Sequence, residues 1–175
     1  MKTKTIILTL FAVLIIQNSE VTGQEEISKE ENVRFKNAIG LGAGFTTGYG
    51  LSYRYIPKQF GVQINFAPYK SESRNITSLG LTFICNLIEA EKTSLYLYQA
   101  NHYYYEKYKY KSYSYYRNSS NDKTEITKHF NTGLGIGIEF IMLKRISFNI
   151  MGGYGAYRDF ETLSLTGETG LYFKF

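Results

Sequence analysis

Between residues 130 and 140 the chain reads FNTGLGIGIEF, an unbroken alternation of two kinds of side chain. Phe130, Thr132, Leu134, Ile136, Ile138 and Phe140 share one face; Asn131, Gly133, Gly135, Gly137 and Glu139 share the other. Period two is the mark of a β-strand, whose successive side chains point to opposite sides. Ten intervals at about 3.3 Å, tilted by about 40°, rise roughly 25 Å. That is the height of the apolar band around a strand-built membrane protein, and Phe stands at both ends, where interfacial aromatics belong. A soluble sandwich strand seldom runs this long with only glycine and polar groups on its second face.

Seven other segments alternate in the same way. They are residues 38–45, 50–56, 60–67, 77–87, 93–105, 146–157 and 162–175, with apolar sets such as Leu79, Leu81, Phe83 and Cys85, or Leu163, Leu165, Leu171 and Phe173. Residues 93–105 are ambiguous, because Leu95 and Leu97 compete with Tyr96 and Tyr98 for the apolar side. The total is eight, an even number that lets an antiparallel sheet close with both chain ends on one side. Connections at residues 57–59, 89–92 and 143–145 are short, as inner turns should be. Those at 46–49, 68–76, 106–126 and 157–161 fall in the outer slots, where length is tolerated. The expected fold is all-β: a closed antiparallel eight-stranded up-and-down transmembrane β-barrel over residues 37–175.

The chain before the barrel reads as an export signal and a leader. Lys2 and Lys4 precede the apolar run IILTLFAVLII, eleven residues long and too short to cross a bilayer as a helix. Val21-Thr22-Gly23 offers a cleavage site, so residues 1–23 are expected to be a signal peptide. Residues 24–36 carry both signs of charge without periodicity and cannot offset their ordering entropy by burial. The single cysteine, Cys85, excludes an internal disulfide and packs as a small hydrophobe. A net charge of +5 is too mild to argue for nucleic acid, and export argues against it.

The chain ends LTGETGLYFKF, with Leu171, Phe173 and Phe175 at alternating positions. This resembles the C-terminal signal that the barrel-assembly machinery reads. With eight strands and an export signal, the chain resembles the small OmpA/OmpX-type barrels of Gram-negative bacteria, and in detail the outer-membrane β-barrel proteins of Bacteroidetes-type bacteria, a family of unknown function. The resemblance implies a cell outer-membrane location, outer-membrane lipid and lipopolysaccharide as surroundings, and no family catalytic motif.

Two places can carry function. An eight-stranded barrel is just wide enough to be filled by side chains, and the inward set includes Arg54, Glu139, Glu168 and Lys174. Confined charges should pair, so these four are expected to brace the lumen as one network. The second place is the stretch YYYEKYKYKSYSYYR. Its Tyr103, Tyr104, Tyr105, Tyr108, Tyr110, Tyr113, Tyr115 and Tyr116 interleave with Lys107, Lys109, Lys111 and Arg117. Strict alternation at residues 108–111 predicts a twisted hairpin beyond the membrane. It would present a contact surface to lipopolysaccharide phosphates and to an extracellular protein or glycan.

Lipid-modifying barrels need a serine, a histidine and an acid in contact. His102 and His129 are the only histidines, and no serine motif marks a nucleophile, so a non-enzymatic protein is expected. Two histidines without a cysteine or acidic cluster do not make a metal site, and no cofactor is expected. Small-solute transport through a narrow channel is the alternative class, disfavoured by a filled lumen.

Overall fold

The computed structural model describes residues 35–114 and 119–175; at 111–114 and 119–122 it describes backbone only. The expected signal at 1–23 and the expected leader as far as residue 34 lie outside the described residues, as do Tyr115, Tyr116 and Arg117. Eight strands follow in order: β1 (Asn37–Gly44), β2 (Gly50–Tyr55), β3 (Phe60–Lys70), β4 (Arg74–Glu89), β5 (Thr93–Ser114), β6 (Ser119–Ile141), β7 (Ile146–Tyr157) and β8 (Thr162–Lys174). Each pairs antiparallel with its neighbours, and β1 pairs with β8 from Ala38↔Lys174 to Gly44↔Glu168, so the sheet closes. Closure removes the free edges that an open sheet would leave in a membrane.

The outward rows are apolar and exposed: Ile39, Leu41, Leu51, Phe66, Leu81, Phe83, Leu134, Ile136, Ile150, Leu165 and Leu171 all stand on the outside. The inward rows are polar, aromatic or glycine, with Arg54, Gln63, Asn65, Tyr96, Tyr98, Asn149 and Tyr172 buried almost completely. This inside-out distribution is what a bilayer-spanning barrel requires. The ambiguous fifth strand resolves by hydrogen bonding. Tyr96 and Tyr98 turn inward, where the Tyr96 hydroxyl accepts from Asn149 Nδ2 at 2.8 Å, and Leu97 turns outward.

Three turns lie at the rim that also holds Asn37 and Phe175, here the terminal rim: residues 56–59, 90–92 and 142–145. The opposite, hairpin rim is taller than the alternation predicts. β3 and β4 run to Lys70 and Arg74 and leave a turn of only Ser71, Glu72 and Ser73. β5 and β6 stay paired from Thr93↔Phe140 to Ser114↔Ser119. Beyond the apolar band both faces of these strands are polar, so the pairing continues where the alternation fades. β7 meets β6 only from Thr132↔Ala156 downward. The upper β5–β6 hairpin is therefore a two-stranded ribbon with β4 against its lower part, as far as Arg74↔Tyr108.

Candidate functional site: a closed lumen beneath a two-faced ribbon

The lumen is closed at two levels. Near the terminal rim, Glu139 accepts from Lys174 Nζ at 2.8 Å and from Ser147 Oγ at 2.7 Å, and lies 3.5 Å from Arg54 Nη1. Arg54 donates from Nε to Gln63 Oε1 at 2.6 Å and from Nη2 to the Tyr96 hydroxyl at 3.4 Å. Its guanidinium stands 4.1 Å from the centre of the Tyr172 ring, a cation–π contact. Two cations share one carboxylate, and the aromatic faces and amides satisfy the rest of the guanidinium. A shallow cleft opens below this cluster at the terminal rim, lined by Asn37, Ser94, Glu139 and Lys174 among others.

Glu168 does not join them, which corrects the single four-member network. Strand parity places Glu168 and Lys174 on one face. The β1–β8 register, however, sets Glu168 opposite Gly44 and Lys174 opposite Ala38, six residues apart and so roughly 20 Å along the strand. Glu168 instead binds the connection between β1 and β2, which folds down into the hairpin mouth. Its carboxylate accepts from the backbone N–H of Thr46 (3.3 Å) and of Thr47 (3.1 Å), from Thr47 Oγ1 (2.6 Å), from Thr166 Oγ1 (2.7 Å) and from Thr46 Oγ1. Thr46 and Thr47 are wholly buried.

Inward side chains from four other strands hold the same loop. Asn65 Nδ2 donates to the carbonyls of Thr47 and Gly48, and Asn131 Nδ2 donates to that of Phe45. His102 Nδ1 faces the Phe45 carbonyl at 3.1 Å, so that nitrogen carries the proton and Nε2 accepts from Ser78 Oγ at 2.9 Å. The wall makes room for the loop with glycine. A Cβ at Gly80 would collide with the Thr47 carbonyl oxygen, and one at Gly133 with the Thr46 side chain. Sequence reasoning missed this plug. Its only trace was inward glycine, Gly80 on β4 and the paired Gly133 and Gly155 on β6 and β7.

Ser78 and His102 are a serine–histidine contact that the sequence did not flag. Ser78 is fully buried under the loop and also accepts from the Tyr49 N–H, and His102 Nδ1 is turned to a backbone carbonyl. Among the described residues no carboxylate orients this imidazole, so the pair holds the loop without the acid or the access of a hydrolytic dyad. Among the described residues no cluster of three or more metal-ligating side chains forms.

The tyrosine–lysine stretch is not one surface. Along β5, even positions continue the inward row and odd positions the outward row. Tyr104, Glu106, Tyr108 and Tyr110 therefore face over the barrel mouth, while Tyr103, Tyr105, Lys107 and Lys109 face away from it. On the mouth side Tyr104 stacks on His129 with centroids 4.7 Å apart, and Tyr108 on Tyr110 at 5.9 Å. Glu106 accepts from Arg74 Nε at 2.5 Å and from the Tyr104 hydroxyl at 2.7 Å. The Arg74 hydrogen bond, then that of Tyr104, holds the Glu106 carboxyl below the usual carboxylate range. Partial burial, then the bond to Glu106, pushes Tyr104 up to about 12. On the outer side Lys128 Nζ stands 5.6 Å from the centre of the Tyr105 ring. The backbone of Lys111 and Tyr113 continues the ribbon.

No protein-family model and no curated protein sequence matches the chain. Solved structures do. The N-terminal β-barrel domain of Pseudomonas aeruginosa OprF superimposes with a TM-score of 0.51 at 12% identity, covering 79% of this chain and 96% of that one. Neisserial surface protein A gives 0.43 at 13% identity, covering 79% and 94%. The attachment invasion locus protein Ail of Yersinia pestis gives 0.43 at 16% identity, covering 79% and 96%. With its ring of eight antiparallel strands, apolar outside and filled polar inside, the chain has the fold of a small outer-membrane β-barrel of the OmpA/OmpX type.

Proposed function

We propose that this chain is an exported, non-enzymatic outer-membrane protein that acts by surface contact through the β5–β6 ribbon. One observation carries the reading. The lumen is filled near the terminal rim by Arg54, Glu139, Tyr96 and Tyr172, and near the hairpin rim by the β1–β2 loop, so the accessible chemistry stands above the mouth. In this reading the terminal rim faces the periplasm, where the short turns belong, and the ribbon faces outward. Exposed tyrosines beside an arginine–glutamate pair are amphipathic, rigid contact groups suited to a glycan or an extracellular protein. Leu171, Phe173 and Phe175 line the outer face at the periplasmic end, where the barrel-assembly machinery would meet them.

Two measurements test the proposal. A peptide tag inserted within residues 106–120 should be labelled on intact cells by an impermeant reagent. The purified protein in planar bilayers should show no stable conductance. A stable large conductance would move the protein to the transport class, and a tag reachable only after lysis would sink the surface role.

A further inference from the structure

Among the side chains described, strand alternation leaves the ribbon's outer face with lysines and no carboxylate, while Glu106 and Glu125 share the mouth face with Arg74 and Lys123. Four register rows climb the outer side of β3 to β6 from the top of the apolar band. The lowest is Phe66, Leu79, Tyr103 and Phe130; above it come Pro68, Thr77, Tyr105 and Lys128. Next are Lys70, Asn75, Lys107 and Ile126, and then Lys109 with Thr124. Lys107 thus has Lys109 two residues along its strand. Lys128 is its diagonal neighbour at about 7–8 Å, and Lys70 is two strands away, roughly 10 Å. The carboxylates at this height, Glu106 and Glu125, project from the opposite, mouth-facing side. Glu72 sits in the β3–β4 turn. Among the described residues none of the four lysines makes an ion pair.

We infer that this outer face is a binding surface for the phosphates of outer-leaflet lipid A, with Lys70, Lys107, Lys109 and Lys128 as its cationic groups. The inference deepens the proposed function and rests on its reading that the outward rows lie in an outer membrane. The stacking order supports it: acyl-compatible Phe66, Leu79 and Phe130 lie lowest with Tyr103 beside them, Tyr105 and Lys128 come next, and the ammonium groups of Lys70, Lys107 and Lys109 stand above. A phosphorylated glycolipid presents its chains, headgroup and phosphates in that same order. Ammonium groups are point charges that recognise phosphate without demanding one orientation, which suits a mobile lipid. Tyr105 holds Lys128 over its ring and keeps the charge near the interface. Binding here would seat the ribbon against the membrane on one side and leave Tyr104, Tyr108 and Tyr110 free on the other.

The test uses the full mature barrel folded in detergent micelles, with folding read from the mobility difference between boiled and unboiled samples. Native mass spectrometry then compares retention of bisphosphorylated lipid A with that of the dephosphorylated lipid. The expected result is at least a tenfold preference for the phosphorylated form, weakened by salt. That preference should be lost in the quadruple Lys→Gln variant at 70, 107, 109 and 128. It should be kept in the quadruple Lys→Arg variant and in Lys123→Gln, whose side chain lies on the mouth face. Equal retention of both lipids by the wild type overturns the inference, as does a preference that survives the quadruple glutamine change or is lost equally in Lys123→Gln. Should the quadruple variant not fold, Lys107→Gln against Lys107→Arg gives the same comparison. A wild-type chain that forms no heat-modifiable barrel would instead overturn the membrane reading beneath it.

Discussion

Glu168 holds Thr47 by both of that residue's donors, the hydroxyl at 2.6 Å and the backbone N–H at 3.1 Å. The same carboxylate serves Thr46, so one side chain of β8 replaces the water that four polar groups of the β1–β2 loop would otherwise need. Glu168→Ala removes the acceptor of both backbone N–H groups and of the Thr46 hydroxyl, leaving the Thr47 hydroxyl only the Gly48 carbonyl at 3.3 Å, a loss of about 1–3 kcal/mol for a group left unsatisfied. The expected outcome is a barrel that still folds but whose residues 45–49 exchange amide hydrogens much faster. Glu168→Gln, which keeps the shape and one acceptor, should fall between. Gly80→Val should free the same loop from the other side of the lumen, by placing a side chain where the Thr47 carbonyl lies. In none of these three variants should conductance appear, because the Arg54 cluster still closes the terminal half.

That cluster predicts a non-additive pair of mutations. Glu139→Met strands Arg54, which is fully buried, beside Lys174, and breaking a buried pair typically costs about 3–5 kcal/mol. Arg54→Met removes the charge but keeps volume, and Lys174 still satisfies Glu139 at 2.8 Å. The Arg54→Met/Glu139→Met double variant should therefore be more stable than the sum of the singles implies. Urea unfolding in micelles, followed by gel mobility or circular dichroism, measures the coupling. Strictly additive losses would show that the two side chains do not support one another.

What could be read in advance divides along one line: alternation reports which face a residue occupies, and nothing reports its height. Outward rows were legible because Leu, Ile and Phe recur at period two beside glycine, as in residues 130–140. β5 was opaque because Leu95 and Leu97 alternate with Tyr96 and Tyr98, and the Tyr96 hydroxyl, bonded to Asn149 and Arg54, marks the inward face. Glu168 was grouped with Glu139 on parity alone, although the β1–β8 register separates it from that cluster. The loop plug was invisible because Phe45-Thr46-Thr47-Gly48-Tyr49 carries no signature of its own. The ribbon's composition was legible, but its division into an outer face with lysines and a mixed-charge mouth face with Glu106, Glu125, Arg74 and Lys123 needed the registers of β4, β5 and β6.

Above the membrane, the Arg74–Glu106–Tyr104 chain should make the ribbon acid-sensitive. The folded Glu106 carboxyl titrates below its unfolded value, because Arg74 and then Tyr104 donate to its charged form. A depressed carboxylate contributes stability that is fully present above its unfolded pKa and is lost as pH falls through the folded one. At neutral pH the link between β4 and β5 should be intact, and it should open only below the ordinary carboxylate range. Chemical-shift titration of Glu106 and Tyr104 should show the two moving together. Glu106→Gln should abolish that transition and leave the barrel's heat resistance unchanged. A transition that persists in Glu106→Gln would assign the acid sensitivity to another group.

Depth gives the membrane reading its most direct check. Ile136 is outward, 55% exposed, and central in the 130–140 band, whereas Ile126, also outward and 53% exposed, lies on the ribbon two rows above Phe130. In a bilayer, Ile136→Arg should cost roughly 2–4 kcal/mol, the penalty for arginine near the midplane of a barrel's lipid face. Ile126→Arg should fall within about 0.5 kcal/mol of wild type, as surface substitutions do. Folding titrations into lipid vesicles measure both. The comparison is sharp because the two isoleucines are almost equally exposed in the isolated barrel. In water alone they would tolerate arginine alike. Equal tolerance in vesicles would mean that the outward rows are not held in lipid.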